Sequence, residues 1–326
     1  MSNLSISAGL LTASLSQNVS ELRSRISTTS TEATTGRYED LTLHLSGRIG
    51  KAMLSQKAVD DIGSDRQILT LRSSRLSLIQ NSLTTIQDST SGIAARMLSA
   101  AVGEHETETA TAARDAKAAL TSTLSSLNAR YGDRFLFAGD ATASQPFPDP
   151  ARLLSDIEQI AQTATGAADF QAQVDTYFTS PTGGWLQDVY QGSTTTSDPE
   201  GVNANHDAIR SLVTDLVILA VGGPDGGLSR LDGYSQLLQD TSLSLSSSET
   251  DITNLRADLG VFEERIANEL TSLDTQETIL VASFNQLTAR DQYEAATELQ
   301  ALEATLEASY LLTARLSQLS LLNYLG

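Results

Sequence analysis

Along most of the chain the apolar positions recur at alternating steps of three and four, the seven-residue period of helices that pack in pairs or bundles. Leu15, Val19, Leu22 and Ile26 mark a first stripe. A second runs Leu76, Ile79, Leu83, Ile86, Thr90, Ile93 and Met97, behind a start near Asp65, whose side chain is suited to an N-cap. A third is looser, with Ala113, Ala116, Leu120, Leu124 and Leu127 facing one way. The fourth opens with Ile252, Leu255, Leu259, Phe262, Ile266, Leu270 and Leu273. It continues through Leu280, Phe284 and Leu287 to Leu299, Leu302, Leu306, Leu312, Leu316, Leu319 and Leu322. No Pro lies between residues 250 and 326. The pattern therefore predicts ~100 Å of nearly continuous helix, at about 1.5 Å per residue.

The period changes at RYGDRFLFAGDATASQPF, residues 130–147, which holds four of the sixteen aromatic residues. Residues 104–129 read as helix, and RFLFAG then alternates, predicting a short strand with Phe135 and Phe137 on one face. Gly139 supplies a turn, and Pro146, Pro148 and Pro150 keep the helix from resuming until about Ala151. Beyond this exit, residues 151–248 have another texture. They carry the one Trp, turn clusters such as SPTGG and VGGPDGG, and a low-complexity run, STTTSDPEGVNANHD, that reads as an exposed loop. Helical patterns at about 151–164, 167–178, 203–221 and 228–246 predict a small helical domain, with at most short strands around WLQDVYQGS.

Charge sharpens the picture of two arms. Residues 1–100 hold ten Lys and Arg against eight acids, and residues 249–326 hold four Arg against thirteen acids. Opposed charge on flanking positions favours the pairing of unlike helices, so the two arms are expected side by side within one subunit. The first twenty residues have no charged side chain, and residues 308–326 have only Arg315. Polar residues break every apolar run in the first segment, which argues against a cleaved signal peptide and against a transmembrane span. Two striped, nearly uncharged ends are segments suited to being covered by other molecules.

The net charge of −19 opposes nucleic-acid binding, which requires a basic face. The absence of Cys excludes structural disulfides and thiolate metal sites. Catalytic patterns are wanting. His44, His105 and His206 are far apart in sequence and have no ligand partner at helical spacing. GRIGKA at 47–52 lacks the first Gly of a phosphate loop and has Ala52 where a hydroxyl should meet magnesium, so its glycines are expected to form turns between the first two helices. VGGPDGG has no basic residue and reads as a loop. No cofactor, metal or catalytic residue is expected.

Three stretches together resemble the flagellar hook-filament junction proteins, the FlgL-type hook-associated family related to flagellin. They are the N-terminal heptads ending in Thr34-Thr35-Gly36, the element LNARYGDRFLFAGDATASQPF, and the C-terminal LEATLEASYLLTARLSQLSLLNYLG. The likeness covers about residues 1–148 and 250–326. Its C-terminal part is shared with flagellin, whereas the FLFAG element followed by a Pro-Phe pair is similar to the junction proteins in particular. Where many relatives have an Asp-Asp-Pro loop after the first helix, this chain has TGRYEDLTLHLSGRIGKAML.

The resemblance implies an extracellular structural protein exported unfolded through the flagellar type III apparatus without a cleaved signal. It implies a ring of copies between hook and filament. The partners implied are further copies of the chain, the other hook-associated junction protein, flagellin and an export chaperone, with neither nucleic acid nor membrane insertion. Terminal helices that fold as they bury their stripes against neighbours fit that route.

The expectation is thus a mainly α fold, a long coiled-coil-like bundle of N- and C-terminal helical arms with a small, mostly helical middle domain and short β elements near 133–147. Its divisions fall at 1–148, 149–248 and 249–326. The interface for subunits and chaperone is expected at Leu11, Leu15, Val19, Leu22, Ile26, Leu306, Leu312, Leu316, Leu319 and Leu322. Two rivals remain: flagellin itself, separated by copy number, and a helical protein with an enzymatic middle domain, separated by deleting residues 151–248.

Overall fold

The computed structural model describes the backbone of residues 3–325 and the side chains of residues 13–315 apart from position 225. In chain order its elements are α1 (Asn3–Thr35), α2 (Leu41–Leu45), α3 (Ile49–Thr90), α4 (Ile93–Val102) and α5 (Glu106–Ser126), then the strands β1 (Arg130–Tyr131) and β2 (Arg134–Phe135). There follow α6 (Pro150–Thr163), α7 (Ala167–Thr179), α8 (Asp207–Ala220), α9 (Tyr234–Thr288) and α10 (Gln292–Leu325). The fold is mainly α, as the heptad stripes require. Two units can be distinguished: one formed by residues up to Arg66 and from Ser272 onward, the other by Gln67–Thr271.

In the second unit the seven-residue stripes lie at the centre. Leu76, Ile79, Leu83, Ile86, Thr90, Ile93 and Met97 are all buried, and so are Ala113, Ala116, Leu120, Leu124, Leu127, Ile252, Leu255 and Leu259. The second stripe is shared by two helices, because Gly92, with φ +75°, caps the start of α4 in a left-handed conformation that favours Gly. The helix before it begins at Ile49, so Asp65 lies inside α3 and caps nothing. Helix α5 packs on α4 and α8, and α6 packs on α7 and α8.

The aromatic stretch forms the corner that periodicity predicts. Strands β1 and β2 pair antiparallel, Arg130 opposite Phe135 and Tyr131 opposite Arg134. The strand ends at Phe135, which is half-buried, while Leu136 and Phe137 are both buried beyond it. Asn128 closes the element: its Nδ2 donates to the Phe147 carbonyl at 2.8 Å and its Oδ1 accepts from the Phe147 amide at 2.9 Å. Phe147 in turn packs among Trp185 and Tyr190, with ring centroids 5.4 and 5.8 Å away. Pro150 starts α6 at the position where a missing N–H costs nothing, and Asp149 caps it by accepting from the Ala151 amide.

Two stretches of this unit take a more definite form than their composition predicts. WLQDVYQGS, where short strands at most were expected, forms a π-helical turn, Trp185–Val189. The run STTTSDPEGVNANHD is tied down. Buried Glu200 is paired with Arg72, and Asp198 lies 3.2 Å from Arg75. Asp140 accepts from the Ser197 amide at 2.7 Å and the Thr195 hydroxyl at 2.8 Å. Its carboxyl is held below the ordinary carboxylate value, first by the Ser197 amide. Gly139, with φ +58°, lets this approach happen, since a Cβ there would meet the Ser193 and Thr195 carbonyls at 2.5 Å. Charged and small polar residues gave this stretch its loop-like composition, and long-range ion pairs give it order.

Candidate subunit interface

In the first unit α1 packs along α10. The partners show an antiparallel pair. Gly36, just after α1, accepts from the Arg290 amide at 2.9 Å, and farther along Arg23 donates to the Tyr310 hydroxyl at 2.8 Å.

The C-terminal arm is the nearly continuous helix that the absence of Pro predicts, with one short break. Thr288 ends α9 and Gln292 begins α10. Asp291 accepts from the amides of Tyr293 and Glu294 at 2.8 and 3.2 Å, an N-cap with Glu three residues on. The freed backbone pairs with the turn after α1: Arg37 and Ala289 form an antiparallel bridge, and the Tyr38 amide donates to the Thr288 carbonyl. Gly36 takes φ +67° here, ending α1 as its amide donates to the Glu32 carbonyl.

Charge locks the corner. The Arg290 guanidinium pairs with buried Glu32 at 3.3 Å and with Glu298, and lies 5.0 Å over the Tyr38 ring. Glu32 also accepts from the Glu39 amide, and Arg25 reaches Glu298 at 3.3 Å. Arg37 donates to Asn285 at 2.8 Å. Composition gave no hint of this cluster, although the D-x-x-E spacing at Asp291 and the Gly after Thr35 are ordinary helix start and stop signals.

The proposed interface residues are distributed unevenly. Leu15, Val19, Leu22, Ile26 and Leu306 are half-buried, and Leu312 is 56% exposed. Ala295 and Leu302, on the α1 side of α10, are buried. The pairing thus covers one side of each helix only. Leu11, Leu316, Leu319 and Leu322 lie outside the residues whose side chains are described. Sequence reasoning missed other large apolar groups left open in this unit: Leu43, Met53, Leu54, Ile279, Tyr293 and Leu311. They sit off the heptad stripes, where periodicity draws no notice.

The histidines have local structural surroundings. His44 stacks on Tyr38 at 3.6 Å, His105 precedes α5, and His206 Nδ1 accepts from the Ala208 amide at the start of α8. Among the described residues no His, Asp or Glu cluster is placed to hold a metal ion, and no helix is long and apolar enough to cross a membrane.

Residues 243–325 match the model of the bacterial flagellin C-terminal helical region. No curated protein matches the chain. Among solved structures, Bacillus cereus FlgL is 14% identical, covering 73% of this chain and 97% of that one, with a TM-score of 0.39. That likeness is too loose to carry a function. The matched family region spans all but the first nine residues of α9 and all of α10, the helix whose outer side stands uncovered among the described residues. The chain thus carries, over residues 243–325, a region similar to the C-terminal helical region of bacterial flagellin.

Proposed function

We propose that the chain is the junction subunit of a flagellum, a ring-forming adaptor between hook and filament, exported unfolded and assembled outside the cell. The observation that carries this reading over filament flagellin is the element LNARYGDRFLFAGDATASQPF, similar to that of junction proteins, folded into a corner closed by Asn128 and Phe147. Its arms supply the polymer contacts. Leu11, Leu15, Val19, Leu22 and Ile26 of one arm and Leu306, Leu312, Leu316, Leu319 and Leu322 of the other become covered when copies assemble, and the C-terminal stripe is held by an export chaperone beforehand. The half-burial of the first stripe supports this reading, because an amphipathic helix gains most of its stability from covering its apolar face. The ring's other neighbours are the second hook-associated junction protein and flagellin.

Gold-labelled antibody against residues 151–248 tests the assignment on intact cells. Label confined to one band at the filament base is expected, and label along the whole filament would make the chain flagellin. Changing Leu316 and Leu319 together to Asp should leave the secreted protein soluble while abolishing filament attachment.

A further inference from the structure

Two exposed faces of the first unit complement each other in both polarity and charge. The first spans residues 41–57, where Arg48, Lys51 and Lys57 occur with no acid. Lys57 is paired with Asp61 at 2.6 Å. Beside these bases Met53 and Leu54 stand 68% and 69% exposed. The second face belongs to α10. At 100° per residue, Tyr293, Gln300, Glu303, Glu307 and Leu311 fall on one side of that helix, roughly opposite Ala295 and Leu302, which are buried. All five are exposed, Tyr293 at 83% and Leu311 at 60%. Neither Glu303 nor Glu307 enters an ion pair among the described residues.

We propose that the 41–57 face of one copy docks on the Gln300–Leu311 part of that face of α10 in a second copy, with Lys51 and Lys57 opposite Glu303 and Glu307. This inference rests on the reading of the chain as a self-assembling subunit and names one contact within that assembly. The bases lie ~9 Å apart along α3 and the acids ~6 Å apart along α10, at about 1.5 Å per residue, so the flexible Lys stems span the difference. Met53 and Leu54 against Leu311, about 6 Å beyond Glu307 along α10, provide the apolar part of the contact, and Tyr293, ~27 Å from Leu311, lies outside it. The charges oppose the pairing of like faces and steer the encounter, and exposed ion pairs by themselves add little affinity. Since the two faces differ, the contact is head-to-tail, and repeated copies close a ring or extend a helix.

The absence of Cys makes the test clean. Full-length Leu54→Cys and Ala304→Cys proteins are mixed, oxidised with oxidised glutathione and run on a non-reducing gel. A disulfide-linked heterodimer is expected, at least tenfold above that of either protein alone. Adding Lys51→Glu and Lys57→Glu to the first protein should abolish it, and Glu303→Lys with Glu307→Lys in the second should restore it. Cross-linking that survives the one-sided reversal overturns the proposal. So does failure of the two-sided reversal to restore it, because restoration excludes misfolding as the cause of the loss. The same cysteine pair placed in assembled flagella separates the two readings. A basal band without cross-link removes this contact and leaves the junction role, whereas cross-link along an entire filament removes the junction role and leaves the contact.

Discussion

The same seven-residue period has opposite fates in the two units. In the second, Leu76, Ile79, Leu83, Ile86, Ile93 and Met97 are buried, enclosed among several helices. In the first, Leu15, Val19, Leu22 and Ile26 are half-buried, and α1 has α10 as its long partner. A stripe at heptad spacing states only that one face is apolar; how much of it is covered depends on how many neighbours arrive. The second unit brings enough helices to finish its core within one chain. The first leaves the described part of each stripe partly open.

The largest test of this contrast is a cavity in the finished core. Leu83→Ala should lower the stability of the second unit by about 2–5 kcal/mol, read by urea unfolding through the fluorescence of Trp185, which lies in that unit. A cost under about 1 kcal/mol would mean that this core is as open as the arms.

A smaller and pH-dependent effect comes from Asp215, buried on α8. Burial pushes its carboxyl up to about 6, against the Ser248 and Ser244 hydroxyls that donate to it at 2.7 and 3.1 Å. The folded value exceeds the ordinary 3.8, so the native state holds the proton more tightly. This contribution to stability is full below about pH 4 and is lost as pH rises through about 6. Asp215→Asn should therefore stabilise the second unit by about 2 kcal/mol at pH 7 and leave it unchanged near pH 4. Paired urea titrations at the two pH values check this, and an equal gain at both would remove the buried charge as its cause.

The corner of the first unit should respond more weakly. Gly36→Ala forces a side chain into φ +67° and sets its Cβ 3.2 Å from Nε2 of the Gln292 side chain. A loss of about 1 kcal/mol is expected, seen as faster hydrogen exchange at the Arg290 and Tyr38 amides with the second unit unaffected.

The smallest effect on the free chain distinguishes a core from an interface. Leu22→Ala should cost the monomer less than about 1 kcal/mol, since only part of the side chain is covered, yet it should reduce filament attachment severalfold. Hydrogen exchange of α1 and counts of attached filaments give the two readouts. A large monomer cost with normal attachment would place Leu22 in a finished core.

Much of the architecture was legible in the sequence. The stripe from Leu76 to Met97 is buried at every position, and the helix starting at Pro150 and the aromatic corner at 130–147 stand where local signals place them. The errors share a cause. The N-cap at Asp65 and the exposed loop at 193–207 were judged from local propensity. Helix α3 already begins at Ile49, and the loop is held by partners far away in sequence, Arg72 for Glu200 and Arg75 for Asp198. For the interface, periodicity marked the stripes, but Tyr293, Leu311, Met53 and Leu54 fall off them and became visible only with their exposure.

The sequence by itself determined that this protein is helical, has two apolar-striped arms and carries a change of architecture near Phe135, because side-chain spacing and turn chemistry act over a few residues. Tertiary structure alone decided which stripes are finished and which remain open. Burial and ion pairing depend on which distant segments arrive, and no local pattern records that.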